Sequence, residues 1–147
     1  IDLPNARPDE VKKEIEDMAE KFGVKLLITG WVTNPLAYMS RFNVGCLLSR
    51  WEGFGLAIPE YMLTGTPIVA TRVDAIPYLI QDNVNGLLVD MDDWRTAADK
   101  VVELSKNNKK REELIRNGME TVRKRFDAKR VSAECENLYN ALAKNRE

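Results

Sequence analysis

Four short aliphatic runs, Val24 to Thr29 (VKLLIT), Val44 to Leu48 (VGCLL), Pro67 to Thr71 (PIVAT) and Gly86 to Val89 (GLLV), punctuate this chain at intervals filled by helical patterns. A strand that is apolar on both sides has to be covered on both faces. Such strands alternating with helices therefore predict a parallel sheet between helical layers, the doubly wound α/β class. Ligands of that class bind beyond the carboxyl ends of the strands. The loops at 30–34, 49–55, 72–76 and 90–92 are thus the places to look for function.

The intervening segments carry their own start and stop signals. Val11, Ile15, Met18, Ala19 and Phe22 recur at helical spacing after Pro8 and Asp9, and Gly23 follows, so residues 9–22 read as an amphipathic helix. Asn34-Pro35 opens a short helix to about Arg41. The segment from about Leu56 to Leu63 is nearly apolar on every side, which predicts a buried helix, and Thr64-Gly65 with Pro67 ends it. Asp82 to Gly86 (DNVNG) is a turn signal. From Asp92 onward the chain reads as three helices. Ala97, Ala98, Val101 and Val102 face inward on the first; Ile115, Met119, Val122 and Phe126 repeat on the second, and Val131, Cys135, Leu138 and Leu142 on the third. Residues 109–147 form a helical C-terminal tail in this reading, and the Lys-rich stretch 106–111 (KNNKKR) is a solvated connection.

Composition narrows the function. A chain of 147 residues has material for one hydrophobic core. Lys and Arg number 22 against 23 Asp and Glu, so no basic field points to a nucleic-acid partner, and an anionic ligand has to be held by local geometry. No apolar run reaches the roughly 20 residues that span a bilayer. Cys46 and Cys135 each lie among apolar neighbours, which suits two buried thiols and a cytoplasmic setting, or a peripheral membrane location in a full-length protein. With no histidine, a Ser-His or Cys-His catalytic pair within this chain is excluded.

The loop Ser49 to Gly55 (SRWEGFG) leaves a strand, passes two glycines and enters a helix. The first turn of a helix leaves about four N–H groups unpaired and carries roughly half a positive charge, so a diphosphate can dock there without lysines. Gly53 and Gly55 let the backbone approach such a ligand closely. Glu52 precedes the helix and Glu60 lies eight residues later, inside it. Carboxylates repel a diphosphate but accept strongly from vicinal hydroxyls, so they suit the sugars on either side of one. The alternative is structural: Glu52 caps the helix, and Glu60 pairs with an arginine or lysine of the fold.

Glu52, Gly53, Phe54, Gly55 and Leu56, then Glu60, Met62, Gly65, Thr66, Pro67, Ile68 and Val69, and later Asn85-Gly86-Leu87-Leu88-Val89, resemble the E-x7-E signature of retaining GT-B glycosyltransferases, the glycogen-synthase-like and mannosyltransferase-like group. The resemblance covers about residues 24–140 and implies the C-terminal, donor-binding half with a Rossmann-like fold. It implies that a hexose passes from a nucleoside-diphosphate sugar to a glycan, lipid or other acceptor, with retention and without a metal or other cofactor. Glu60 would hold the ribose hydroxyls, Glu52 the transferred sugar as the catalytic residue, and the amides of Gly53, Phe54, Gly55 and Leu56 the sugar and diphosphate. Gly30, Trp31 and Val32 would border the base. The chain is accordingly expected to be one partial domain, 1–147, of a longer polypeptide. The opening strands, the arginine and lysine that usually face the diphosphate, and the acceptor-binding N-terminal half would lie elsewhere in that polypeptide. The chain is then expected to be inactive in isolation. A second function class is a non-catalytic nucleotide-sugar-binding or protein-interaction module with the same fold.

The chain departs from the family pattern where a glycine pair and a glutamate are usual, reading Asp74-Ala75-Ile76-Pro77-Tyr78. Asp90-Met91-Asp92 has the D-x-D form that other glycosyltransferases use for a metal-bound diphosphate. It directly precedes a helix start, where Asp93 is favoured as an N-cap, and no metal site is expected there. Trp31 and Trp51 lie on ligand-side loops, with packing as the alternative for each.

Overall fold

The computed structural model describes residues 8–144; the ends of the expected 1–147 domain and of the 109–147 tail lie outside the described residues. The described chain falls into two compact units divided between Thr33 and Asn34.

In the first unit, helix α1 (Pro8–Lys21) forms as its periodicity predicts. It ends at Gly23, whose φ of +64° suits a residue without a Cβ. The Val24 and Gly23 amides reach back to the carbonyls of Ala19 (2.8 Å) and Glu20 (3.1 Å) and satisfy the last turn. Residues 24–29 do not form the expected buried strand. Leu27 is 80% exposed, and Val24, Leu26 and Ile28 are exposed with it. A strand exists only through a ladder with a neighbour, and no second strand is present among the described residues of this unit.

The second unit holds the sheet. Its elements are α2 (Pro35–Met39), β1 (Gly45–Leu47), α3 (Ala57–Leu63), β2 (Ile68–Thr71), α4 (Ile76–Leu79), β3 (Leu87–Val89), α5 (Trp94–Lys106), α6 (Asn108–Arg125) and α7 (Ala128–Lys144). The strands are parallel in the order β1-β2-β3, with Cys46 opposite Val69 and Ala70 opposite Leu88. Alternation along β2 and β3 splits the core in two. Ile68, Ala70 and Leu88 face Ile58 and Met62 of α3 and Ile76 and Leu79 of α4. Val69, Leu87 and Val89 face Ala97 and Leu104 of α5 and Leu114 of α6. The sheet is thus covered on both faces, the α/β class that the aliphatic runs predict.

Four local expectations are corrected. Helix α3 is not buried all round: Ile58 and Met62 are buried, but Leu56 and Leu63 are 67% and 54% exposed, because only one of its faces meets the sheet. The stretch 106–111 is not a connection; Asn107 alone separates α5 from α6, and its side chain accepts from the Lys110 amide to start α6. The third tail helix forms as α7 but buries none of its residues. Both cysteines are exposed, Cys46 on the outer strand β1 and Cys135 on α7. The atoms crowding the Cys46 thiol still push its pKa up.

Candidate functional site

The loop after β1 is tied down from three sides. Thr71, at the end of β2, donates its hydroxyl to the Ser49 carbonyl. Arg50 pairs through Nε with the Asp92 carboxylate at 3.1 Å, from the loop after β3. Asp74, in the loop after β2, accepts the Glu52 amide proton at 2.8 Å. Within the loop the Ser49 hydroxyl donates to Glu52 Oε1 at 2.8 Å. Three of the four loops singled out from the sequence therefore meet around residues 49–52, as the carboxyl ends of parallel strands should.

Beyond Glu52 the chain enters α3. Gly55 takes φ +79°, which favours a residue without a Cβ, and a Cβ there would press on Ile58 Cδ1 at 3.3 Å. Nothing lies within 4 Å of where a Gly53 Cβ would be, so the loop is open on that side. Leu56 stands at the N-cap of α3 and gives it no side-chain cap, and the first bonds there are Ile58 N–H to the Gly55 carbonyl (2.9 Å) and Glu60 N–H to that of Leu56 (3.3 Å). The N–H groups of Gly53, Phe54, Gly55, Leu56 and Ala57 form no hydrogen bond among the described residues. Phe54 is steadied by an edge-to-face contact with Phe126, ring centroids 6.0 Å apart.

Neither structural alternative for the two glutamates is what the chain adopts. Glu52 does not cap α3; its carboxylate turns to Ser49. Glu60, half-buried in the first turn of α3, makes no ion pair or side-chain hydrogen bond among the described residues.

The D-x-D sequence has separate commitments. Asp90 faces Arg72 at 3.8 Å and Asp92 faces Arg50. Asp93 caps α5 by accepting from the Thr96 amide at 3.1 Å. Hydrogen bonds from Thr96 hold the Asp93 carboxyl below its ordinary range. Among the described residues no group of three metal-ligating side chains comes together.

Gly30, Trp31 and Val32 belong to the first unit, whereas Glu52 to Leu56 and Glu60 belong to the second. Gly30 has φ +60° and Trp31 is 95% exposed. Trp51 is 79% exposed and Trp94 carries the Arg95 guanidinium 4.9 Å above its ring. The sequence did not single out Ser49 and Asp74 as partners of Glu52, or Thr71 as the partner of Ser49. Only the small polar character of Ser49 and Thr71 and the departure at Asp74 marked them, and no spacing rule links residues 22 apart.

Residues 9–121 match the family model described as Glycosyl transferases group 1. An uncharacterized 41.2 kDa protein of the Klebsiella pneumoniae cps region is 38% identical over 93 residues, which is 61% of this chain and 25% of that protein. The N-acetyl-alpha-D-glucosaminyl L-malate synthase of Bacillus anthracis is 29% identical over 115 residues, 78% of this chain and 30% of the relative. A Staphylococcus aureus TarM variant, solved in complex with Fondaparinux, alpha-GlcNAc-glycerol and UDP, superposes with a TM-score of 0.80 at 26% identity, over 92% of this chain and 27% of that one. The chain thus spans less than a third of the length of these relatives.

Proposed function

The chain belongs to the glycosyl transferases group 1 family, and from that premise we propose that it is the donor-binding domain of a retaining hexosyltransferase that works as part of a longer polypeptide. The observation that carries this reading is the loop 49–56. It combines a fixed carboxylate at Glu52 with a row of unbonded N–H groups at the start of α3, and the first turn of α3 adds an uncommitted carboxylate at Glu60.

Each part fits one part of a nucleoside-diphosphate sugar. The amides of Gly53 to Leu56 and the positive end of α3 suit the diphosphate, whose charge grows as the bond to the sugar breaks. Preorganised donors of this kind serve a metal-free departure of the nucleotide, and the D-x-D carboxylates Asp90 and Asp92 are engaged with Arg72 and Arg50. Glu52 suits hydroxyls of the transferred sugar, and Glu60 the vicinal ribose hydroxyls. UDP in the TarM variant makes a uridine nucleotide the first donor to try. Gly30 to Val32 are assigned to the base on the family resemblance, and the acceptor glycan or lipid to segments outside this chain.

Isothermal titration of the full-length protein with UDP, GDP and ADP tests the proposal. Tight binding of one nucleoside diphosphate, with transfer from the matching sugar nucleotide, is the expected result. A folded protein that binds none of them is instead a protein-interaction module with this fold.

A further inference from the structure

Asp74 has a backbone that costs strain. Its φ is +44°, in the left-handed region that residues with a Cβ disfavour, though Asp and Asn tolerate it better than most. The family resemblance leads one to expect glycine at this position, which would take the same shape freely. An aspartate kept in a glycine's conformation next to a binding loop has to return something through its side chain. That side chain accepts the Glu52 amide proton at 2.8 Å.

We infer that Asp74 is a positioning residue for Glu52, acting through the amide of Glu52 and not on the substrate. Three contacts in series make the device. The Thr71 hydroxyl fixes the Ser49 carbonyl, and the Ser49 hydroxyl holds Glu52 Oε1 at 2.8 Å. The Asp74 carboxylate fixes the Glu52 backbone. Main chain and one carboxylate oxygen of Glu52 are then both held, and the second oxygen, Oε2, has no partner among the described residues and is left for a sugar hydroxyl. A carboxylate accepting from a backbone N–H is among the stronger hydrogen bonds, so Asp74 does what a glycine cannot.

The inference rests on the proposed role of Glu52, and its test separates the two. Asp74→Gly removes the acceptor while relieving the backbone, so the variant should fold. Asp74→Asn keeps an acceptor and the tolerance for positive φ. In the full-length protein Asp74→Gly should leave nucleoside-diphosphate affinity unchanged and lower kcat by about tenfold, the scale on which small misplacements act. Asp74→Asn should restore most of that loss. Backbone amide exchange at Glu52 is read independently of catalysis, and should quicken by about tenfold in Asp74→Gly, roughly the worth of one hydrogen bond, but not in Asp74→Asn. Unchanged exchange in Asp74→Gly overturns the contact. Faster exchange with unchanged kcat, in a protein whose Glu52→Gln variant is slow, overturns the positioning role. Equal kcat losses in both Asp74 variants overturn the amide as the point of action. A normal kcat in Glu52→Gln with faster exchange in Asp74→Gly instead rejects the role given to Glu52 and leaves the contact standing.

Discussion

Glu60→Gln keeps the shape of the side chain and removes only its charge, so its effect depends on who uses that charge. The fold uses little of it. Glu60 lies in the first turn of α3, where an acidic group gains about 0.3–1 kcal/mol from the helix dipole, and it has no ion-pair partner among the described residues. Losing that term should lower Tm by no more than about 4 °C in a domain of this size. A buried ion pair broken from one side would instead cost about 3–5 kcal/mol. If the ribose hydroxyls use the charge, two charge-assisted bonds of about 1.5–3 kcal/mol each become neutral ones of about 0.5–1.5 kcal/mol. At the middle of both ranges the difference is about 2.5 kcal/mol for the two bonds, which lowers nucleoside-diphosphate affinity by more than about tenfold. Calorimetric titration of the full-length protein with its preferred nucleotide, beside a thermal melt without ligand, reads both numbers. An unchanged Kd with a melt lowered by about 10 °C, the scale of a broken buried pair in a domain of this size, refutes the reasoning and makes Glu60 a structural residue.

Glu52→Gln should lower transfer or donor hydrolysis more than nucleotide binding, because its proposed partners are on the sugar. In the same assay EDTA should leave the rate unchanged, and loss on chelation that manganese restores would remove the metal-free mechanism. Gly118→Val should destabilise the second unit by about 1–3 kcal/mol, since even a Cβ at that position on α6 would stand 3.1 Å from Met62 Cγ and 3.5 Å from the Asn85 carbonyl oxygen. Denaturant melts should show Met62→Ala recovering part of the loss, and a neutral Gly118→Val would mean that α3 and α6 do not pack as described.

Periodicity and punctuation made the second unit legible. Unbroken aliphatic character at residues 45–47, 68–71 and 87–89 marks strands that really are parallel and paired, and Asn34 and Asp93 stand where helices begin. The misread apolar segments share one cause, that apolarity states a demand for cover and not its supply. VKLLIT has the composition of a buried strand but no ladder partner among the described residues of its unit. The stripe on α7 is as regular as that on α6, yet Val122 of α6 and Phe126 at its C-terminal cap pack on the core while Leu138 and Leu142 of α7 are exposed. Helix α4 is a single turn of Ile76–Leu79, too short for any period to reveal.

At the candidate site, sequence spacing brings out Glu52 and Glu60 as a pair of like residues, and the contacts make them unlike. The hydroxyl of Ser49 holds one oxygen of Glu52, and Asp74 holds its amide, at partners three and 22 residues away. Glu60 is held by its helix alone. A group fixed before the substrate arrives loses nothing to reorganisation when charge develops, which is the condition for lowering a barrier and not merely for binding. A free carboxylate can adjust to a ribose and contribute equally before and during reaction. The difference in tethering, invisible in the sequence, is therefore the physical ground for the proposal that Glu52 serves turnover and Glu60 affinity.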